Sequence, residues 1–140
     1  MYIPEIYKNE NPEEIRSFLK ENAFGILVTN LDGKSCATHI PLELSKRPDG
    51  TEIIHAHISK MNEQVAHLNN GAEALCIFNG PHSYISASWY DFEEVSTWNY
   101  TAVQVRGNVS LLDKEGTYKS IKALMDKYEA PQKNPIDMDA

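Results

Sequence analysis

Nowhere in these 140 residues do more than two basic side chains stand together, and acids outnumber Lys and Arg by 20 to 13. The resulting net charge of −7 withholds the basic face with which an isolated DNA-binding domain neutralises phosphates. Direct duplex binding by this chain alone is therefore disfavoured. No apolar run approaches the ~20 residues needed to cross a bilayer, so no membrane role is expected. The opening MYIPEIYKNENPEEI is polar and acidic, unlike a signal or transit peptide, and the expected compartment is the cytoplasm. Cysteine is scarce. Cys36 and Cys76 lie in apolar surroundings with no CxxC spacing, and they read as buried free thiols in a reducing compartment. A Gly-rich phosphate loop, HExxH and GxSxG are all missing. No spacing pairs a nucleophile with its base, so a hydrolase is not supported and no catalytic residue is assigned.

What is present suits one globular domain. A hydrophobic share of 41% beside 24% charged residues is ordinary for such a chain. The expected domain covers residues 1–130, and PQKNPIDMDA (131–140) is a polar tail with little reason to order. Asn11-Pro12-Glu13-Glu14 is a strong helix start, with Asn as N-cap and Pro at the first helical position. Ile15, Phe18 and Leu19 follow at helical spacing to an end near Asn22. From Phe24 the period changes. FGILVTN and SCATHIPLEL read as two strands joined by a turn at Asp32-Gly33. TEIIHAHI reads as a third strand, and Ser59 as the cap of a short helix through 62–68 that Gly71 stops. ALCIFNG and SYISA give strand material around the Gly80-Pro81 break, and residues 102–109 alternate as a half-buried strand does. A last helix spans about 114–128. The predicted fold is mainly β with peripheral helices, a small barrel of five or six antiparallel strands.

Three places could carry chemistry. His39, His55 and His57 could converge on a metal ion from neighbouring strands, or could be polar strand residues bonded to backbone or solvent. No fourth ligand suggests itself by spacing, so no metal is assigned. Ser59-Lys60-Met61-Asn62 sits where a strand turns into a helix. Unpaired N–H groups there, beside an ammonium and two small polar side chains, could bind an anion, or could form an ordinary cap with a solvated lysine. SASWYDFEEVSTWNY (86–100) holds both tryptophans around three acids that must reach water. Its rings could form a half-exposed wall against a planar cofactor or a second subunit, or could close the end of the barrel.

With these blocks in view, the chain resembles the PaiB-type FMN-binding proteins, whose split-barrel fold is shared with pyridoxamine-phosphate oxidase. The resemblance covers almost all of residues 1–130. It is carried by MYIPEIY, NPEEIRSFLKENAFGILVT, ATHIPLEL, HAHISKMNEQVAHL, IFNGPHSYISASWY and TWNY followed by VQVRGNV. It implies a dimeric FMN-binding split barrel, a homodimer with FMN in the cleft between subunits. It also implies a negative transcriptional regulator linked to sporulation and protease synthesis, with a flavin-dependent oxidoreductase acting on a small molecule as the competing reading. Residue by residue, it implies that Thr38, His39, Ile40 and Pro41 line the isoalloxazine ring, and that Ser59, Lys60 and Asn62 hold the phosphate. Trp98, Asn99 and Tyr100 would sit at the dimer cleft and face a flavin, their own subunit's or the partner's. The family continues past the last residue of this chain with a further helix and strand, so the chain reads as a short form.

Overall fold

Asn11 sets the first helix. Its side-chain oxygen accepts from the backbone N–H groups of Glu13 and Glu14 at 3.0 and 3.3 Å, satisfying two donors that a helix start leaves free. Pro12 then opens α1 (Pro12–Glu21), which turns Ile15, Phe18 and Leu19 inward and ends where the Asn22 N–H and side chain both reach the Phe18 carbonyl. The computed structural model describes residues 1–139.

Six strands follow, β1 (Phe24–Leu31), β2 (Lys34–Pro41), β3 (Glu43–Lys46), β4 (Glu52–His55), β5 (Glu73–Ile85) and β6 (Thr97–Asn108), and then α2 (Lys114–Glu129). They form an antiparallel sheet in the order β2-β1-β5-β6 and a separate β3-β4 ribbon. The fold is mainly β with two peripheral α-helices, as expected. Its sheets do not join into one closed barrel, an arrangement compatible with a split barrel. The β1-β2 hairpin turns on Asp32 and Gly33 alone, both with positive φ (51° and 78°), the backbone that a tight two-residue hairpin demands.

Alternation along the strands divides the large sheet into two faces. The inner face carries Leu27, Ile40 and Phe78, which form the core with Leu19 of α1 and Leu42; Val103 and Val105 pack beside them. Phe78 and Leu42 are 0% exposed. The outer face carries Ile26, Val28, Leu75 and Ile77 beside His39, Gln104 and Arg106, the four aliphatic residues half-buried. Gly25 sits where a Cβ would meet the Ile77 carbonyl oxygen at 2.6 Å, so the strand crossing there admits only glycine.

Three strand boundaries differ from expectation. The stretch 35–44 is two strands, because Leu42 turns into the core and donates its N–H to the Ala23 carbonyl at 2.7 Å. The third strand stops at His55. The pieces around Gly80-Pro81 are one long strand, β5, which shifts register between Asn79 and His82 and continues as an arm with β6. Proline is tolerated because such an irregularity frees its position from the ladder. Residues after α2 fold back on it: Tyr118 donates to Asp139 at 2.6 Å, Lys122 pairs with Asp139, and the Ile136 N–H reaches Glu129.

Candidate functional site

The Ser59–Asn62 corner is a turn, with the Asn62 N–H donating to the Ser59 carbonyl at 2.9 Å and the Met61 N–H to Ser59 Oγ at 3.2 Å. The helix that follows, Glu63–His67, is a short 3₁₀ helix capped by Asn62. The expectation that Ser59 caps it is corrected on this point: the hydroxyl serves the turn, and Asn62 Oδ1 accepts from the Gln64 N–H at 2.9 Å. The other end of the Asn62 amide donates to Thr38 Oγ1 at 3.1 Å. That bond joins the corner to β2, two segments predicted separately. Lys60 stands exposed beside it and makes no ion pair among the described residues.

Gln64 anchors this corner and went unnoticed in the sequence. It is 0% exposed, and its Nε2 donates toward the Leu27 carbonyl, Thr29 Oγ1 and the Cys36 carbonyl at 3.1, 2.9 and 3.2 Å. One amide thereby ties the 3₁₀ helix to both strands of the first hairpin. A glutamine within a polar run looks like a solvated residue, and nothing local reveals that it is buried.

On β2, Thr38 and Ile40 face inward and His39 and Pro41 outward. Ile40 belongs to the core, with its side chain 8% exposed. His39 lies on the outer face beside Phe24, ring centroids 6.5 Å apart. The described residues hold no group of three His, Cys, Asp or Glu side chains placed to share an ion. Cys36 and Cys76 are free thiols, and burial pushes Cys76 up to about 11, leaving it protonated and unreactive.

Trp98, Asn99 and Tyr100 lie on the arm, opposite Tyr84, Ser83 and His82. Trp98 donates through Nε1 to His82 Nδ1 at 3.0 Å and tilts against Tyr84 with ring centroids 5.9 Å apart. The two-residue spacing of His82 and Tyr84 is a signal that places both on the face of Trp98. That face is open to solvent: Trp98 is 55% and Tyr100 61% exposed. Within the chain the arm and the corner lie at opposite sides of the large sheet. Strands β1 and β5 lie between β2 and β6, a separation of about 14 Å at ordinary strand spacing, and the arm extends away beyond it.

Residues 1–140 match the sequence family described as "Putative FMN-binding domain". The chain belongs to this family. The cofactor that the FMN-binding domain family indicates is FMN. The chain is 42% identical over 136 residues to the Bacillus subtilis "Protease synthase and sporulation protein PAI 2", covering 97% of this chain and 65% of that one. This agrees with the PaiB-type resemblance. An uncharacterized protein of Saccharomyces cerevisiae is 30% identical over 101 residues, 67% of this chain and 60% of its own. An uncharacterized Aspergillus fumigatus protein is 25% identical over 147 residues, 79% of this chain and 56% of its own. The chain thus spans less than two thirds of the length of these relatives.

The corner suits this cofactor. A phosphate needs donors and positive charge, and the Ser59 hydroxyl and Lys60, without an ion pair among the described residues, could offer both within one turn. A planar ring needs an apolar wall, and the outer face and the arm each offer one.

Proposed function

We propose that this chain is an FMN-binding subunit of a homodimer and serves as a flavin-responsive regulator. The observation that carries the cofactor reading is the Asn62–Thr38 hydrogen bond, which fixes the donor-bearing turn to the strand proposed to line the ring. Ser59, Lys60 and Asn62 hold the phosphate. Thr38, His39, Ile40 and Pro41 line the isoalloxazine, His39 and Pro41 through their outward side chains and the inward-facing Thr38 and Ile40 through their backbone. Trp98, Asn99 and Tyr100 complete the wall from the partner subunit, since two strands separate them from their own corner. FMN, when bound, supplies reversible electron transfer; the residues named here bind it, orient it and keep water from its faces.

Dimerisation rests on surface. The chain exposes 10545 Å², whereas a folded monomer of 15.8 kDa exposes about 7,300 Å². The excess, about 3,200 Å² per chain, is more than the roughly 1,000–2,500 Å² that each partner of an obligate pair covers, and the arm and outer sheet face are its apolar parts. A second copy of the chain is the proposed occupant. The regulatory role follows the relative named for protease synthesis and sporulation, with the cytoplasm as its compartment and residues 1–130 as one domain. No helix of the described residues is long and apolar enough to cross a membrane, and contact with DNA falls to another component.

Flavin titration of the purified chain, with the oligomeric state measured alongside, tests the reading. Yellow protein that releases FMN on denaturation and sediments as a dimer is expected. A colourless protein that takes up no added FMN overturns the cofactor assignment, and a monomer that binds FMN overturns the shared site. Steady NAD(P)H oxidation by the loaded dimer would move the protein to the oxidoreductases.

A further inference from the structure

Helix α2 does not lie flush on the β3-β4 ribbon. Between them is a cavity of about 420 Å³, within the range of small-molecule sites. Leu44, Leu112, Ala123 and Leu124 give it mostly apolar walls. His55, His57 and Ser120 also line it, and Ser120 Oγ shares a 3.1 Å hydrogen bond with His55 Nδ1 across the gap. His57 Nε2 is closed off from solvent and has no hydrogen-bond partner. That nitrogen therefore points away from the water-accessible space, and His57 meets the cavity through the rest of its ring.

The charge around the cavity narrows the ligand. Glu43 reaches the wall, but its two oxygens are taken by Lys127 at 2.6 Å and Tyr128 at 2.7 Å. Lys119 at the rim pairs with Glu115. With His55 Nδ1–H donating to Ser120 Oγ, the serine hydroxyl is left to donate into the cavity, and the His57 ring lies beside it. A neutral ligand would gain nothing from a proton on the histidines, and a phosphate would bring a second charge toward Glu43.

We infer that this cavity binds a small apolar carboxylic acid, its hydrocarbon body against Leu112 and Leu124 and its carboxylate accepting from the Ser120 hydroxyl, which His55 holds, beside the His57 imidazole. The site is separate from the proposed flavin wall, with only Pro41 common to both, and it stands whether or not FMN binds. Burial, and then His55, hold His57 below its ordinary pKa, so His57 enters the empty cavity neutral. A carboxylate beside it favours the imidazolium. Binding therefore takes up a proton, and affinity falls as pH rises.

Calorimetric titration of the whole chain with benzoate, phenylacetate and octanoate, at about pH 6 and about pH 8 on either side of the histidine range, tests this. Saturable binding is expected, weakening by up to about tenfold per pH unit for one proton. Leu124→Trp should fill the cavity and abolish binding, and Ser120→Ala should weaken it about tenfold or more, as loss of a bond to a charged group does. FMN binding should match the parent protein in both variants. If Leu124→Trp does not fold, Ser120→Ala decides. The inference is overturned if none of the three acids saturates, if affinity ignores pH, or if benzyl alcohol binds as well as benzoate. Displacement of the acid by FMN would make the cavity part of the flavin site and likewise end the claim.

Discussion

Strands β5 and β6 run through two regions that share a backbone and little else. Up to Asn79 their inward side chains, Phe78 and Val103 among them, meet α1 and the first hairpin and are withdrawn from water. Beyond the irregularity at Asn79 and His82 the same two strands carry Tyr84, Trp98 and Tyr100, about half or more exposed. Both halves are rich in apolar residues. The difference is that a second layer covers one and none covers the other, and a sheet face without a second layer is incomplete. The core half is finished by its own chain, and the arm is the half proposed to meet another.

The sharpest way to break this contrast is a pair of substitutions on β5. Phe78→Ala should cost about 3–5 kcal/mol, the range for an aromatic removed from a core, a large share of the stability of a small domain. Tyr84→Ala, six residues along, should cost the subunit less than about 1 kcal/mol. Denaturant unfolding at low protein concentration compares them directly. Equal losses would mean that the arm is packed within the subunit after all.

The corner offers the next largest effect, in binding instead of folding. Lys60→Ala should weaken FMN binding by about 1.5–3 kcal/mol, the worth of a hydrogen bond to a charged group, and should leave unfolding where it was, since Lys60 is solvent-exposed. An unchanged dissociation constant would return Ser59 and Lys60 to an ordinary turn.

Gln64 ties the corner to the first hairpin. Gln64→Leu keeps the volume roughly and removes the donor that serves Leu27, Thr29 and Cys36. A buried acceptor left unpaired costs about 1–3 kcal/mol. Part of that loss is offset, because Gln64 Oε1 has itself no partner. Thermal unfolding should therefore fall by less than in Phe78→Ala. Full stability in Gln64→Leu would show that the amide contributes nothing net.

How much of this was legible before folding depends on the kind of signal. Asn11-Pro12 and Asp32-Gly33 announce themselves because capping and tight turns are local, decided by a few adjacent residues. The mainly β class followed from alternation. The break at Leu42 was invisible, because SCATHIPLEL keeps its alternation while the chain swings from one sheet to the other. Thr38 and Asn62 were each singled out, but their hydrogen bond spans 24 residues and no pattern in the chain predicts it. The corner was thus readable as residues and not as a joined site. Gln64 was not readable at all, since burial of a polar side chain is settled by what packs around it.

The smallest expected effect tests the arm itself. Trp98 rests on Tyr84 and His82 and gives its N–H to His82. One hydrogen bond at an exposed site contributes about 0.5–1.5 kcal/mol at most, and solvent competes for it. Trp98→Ala should therefore leave the folding of an isolated subunit within about 1 kcal/mol of the parent. In the dimer the same ring is proposed to be covered, and central aromatics carry a disproportionate part of interface energy. The substitution should then appear as a changed dependence on concentration: unfolding of the parent shifts to higher temperature as protein is added, because assembly stabilises the folded form by mass action, and the shift should shrink in Trp98→Ala. A tryptophan that serves only its own subunit would lower the transition equally at every concentration. That pattern would leave the exposed arm without its proposed partner.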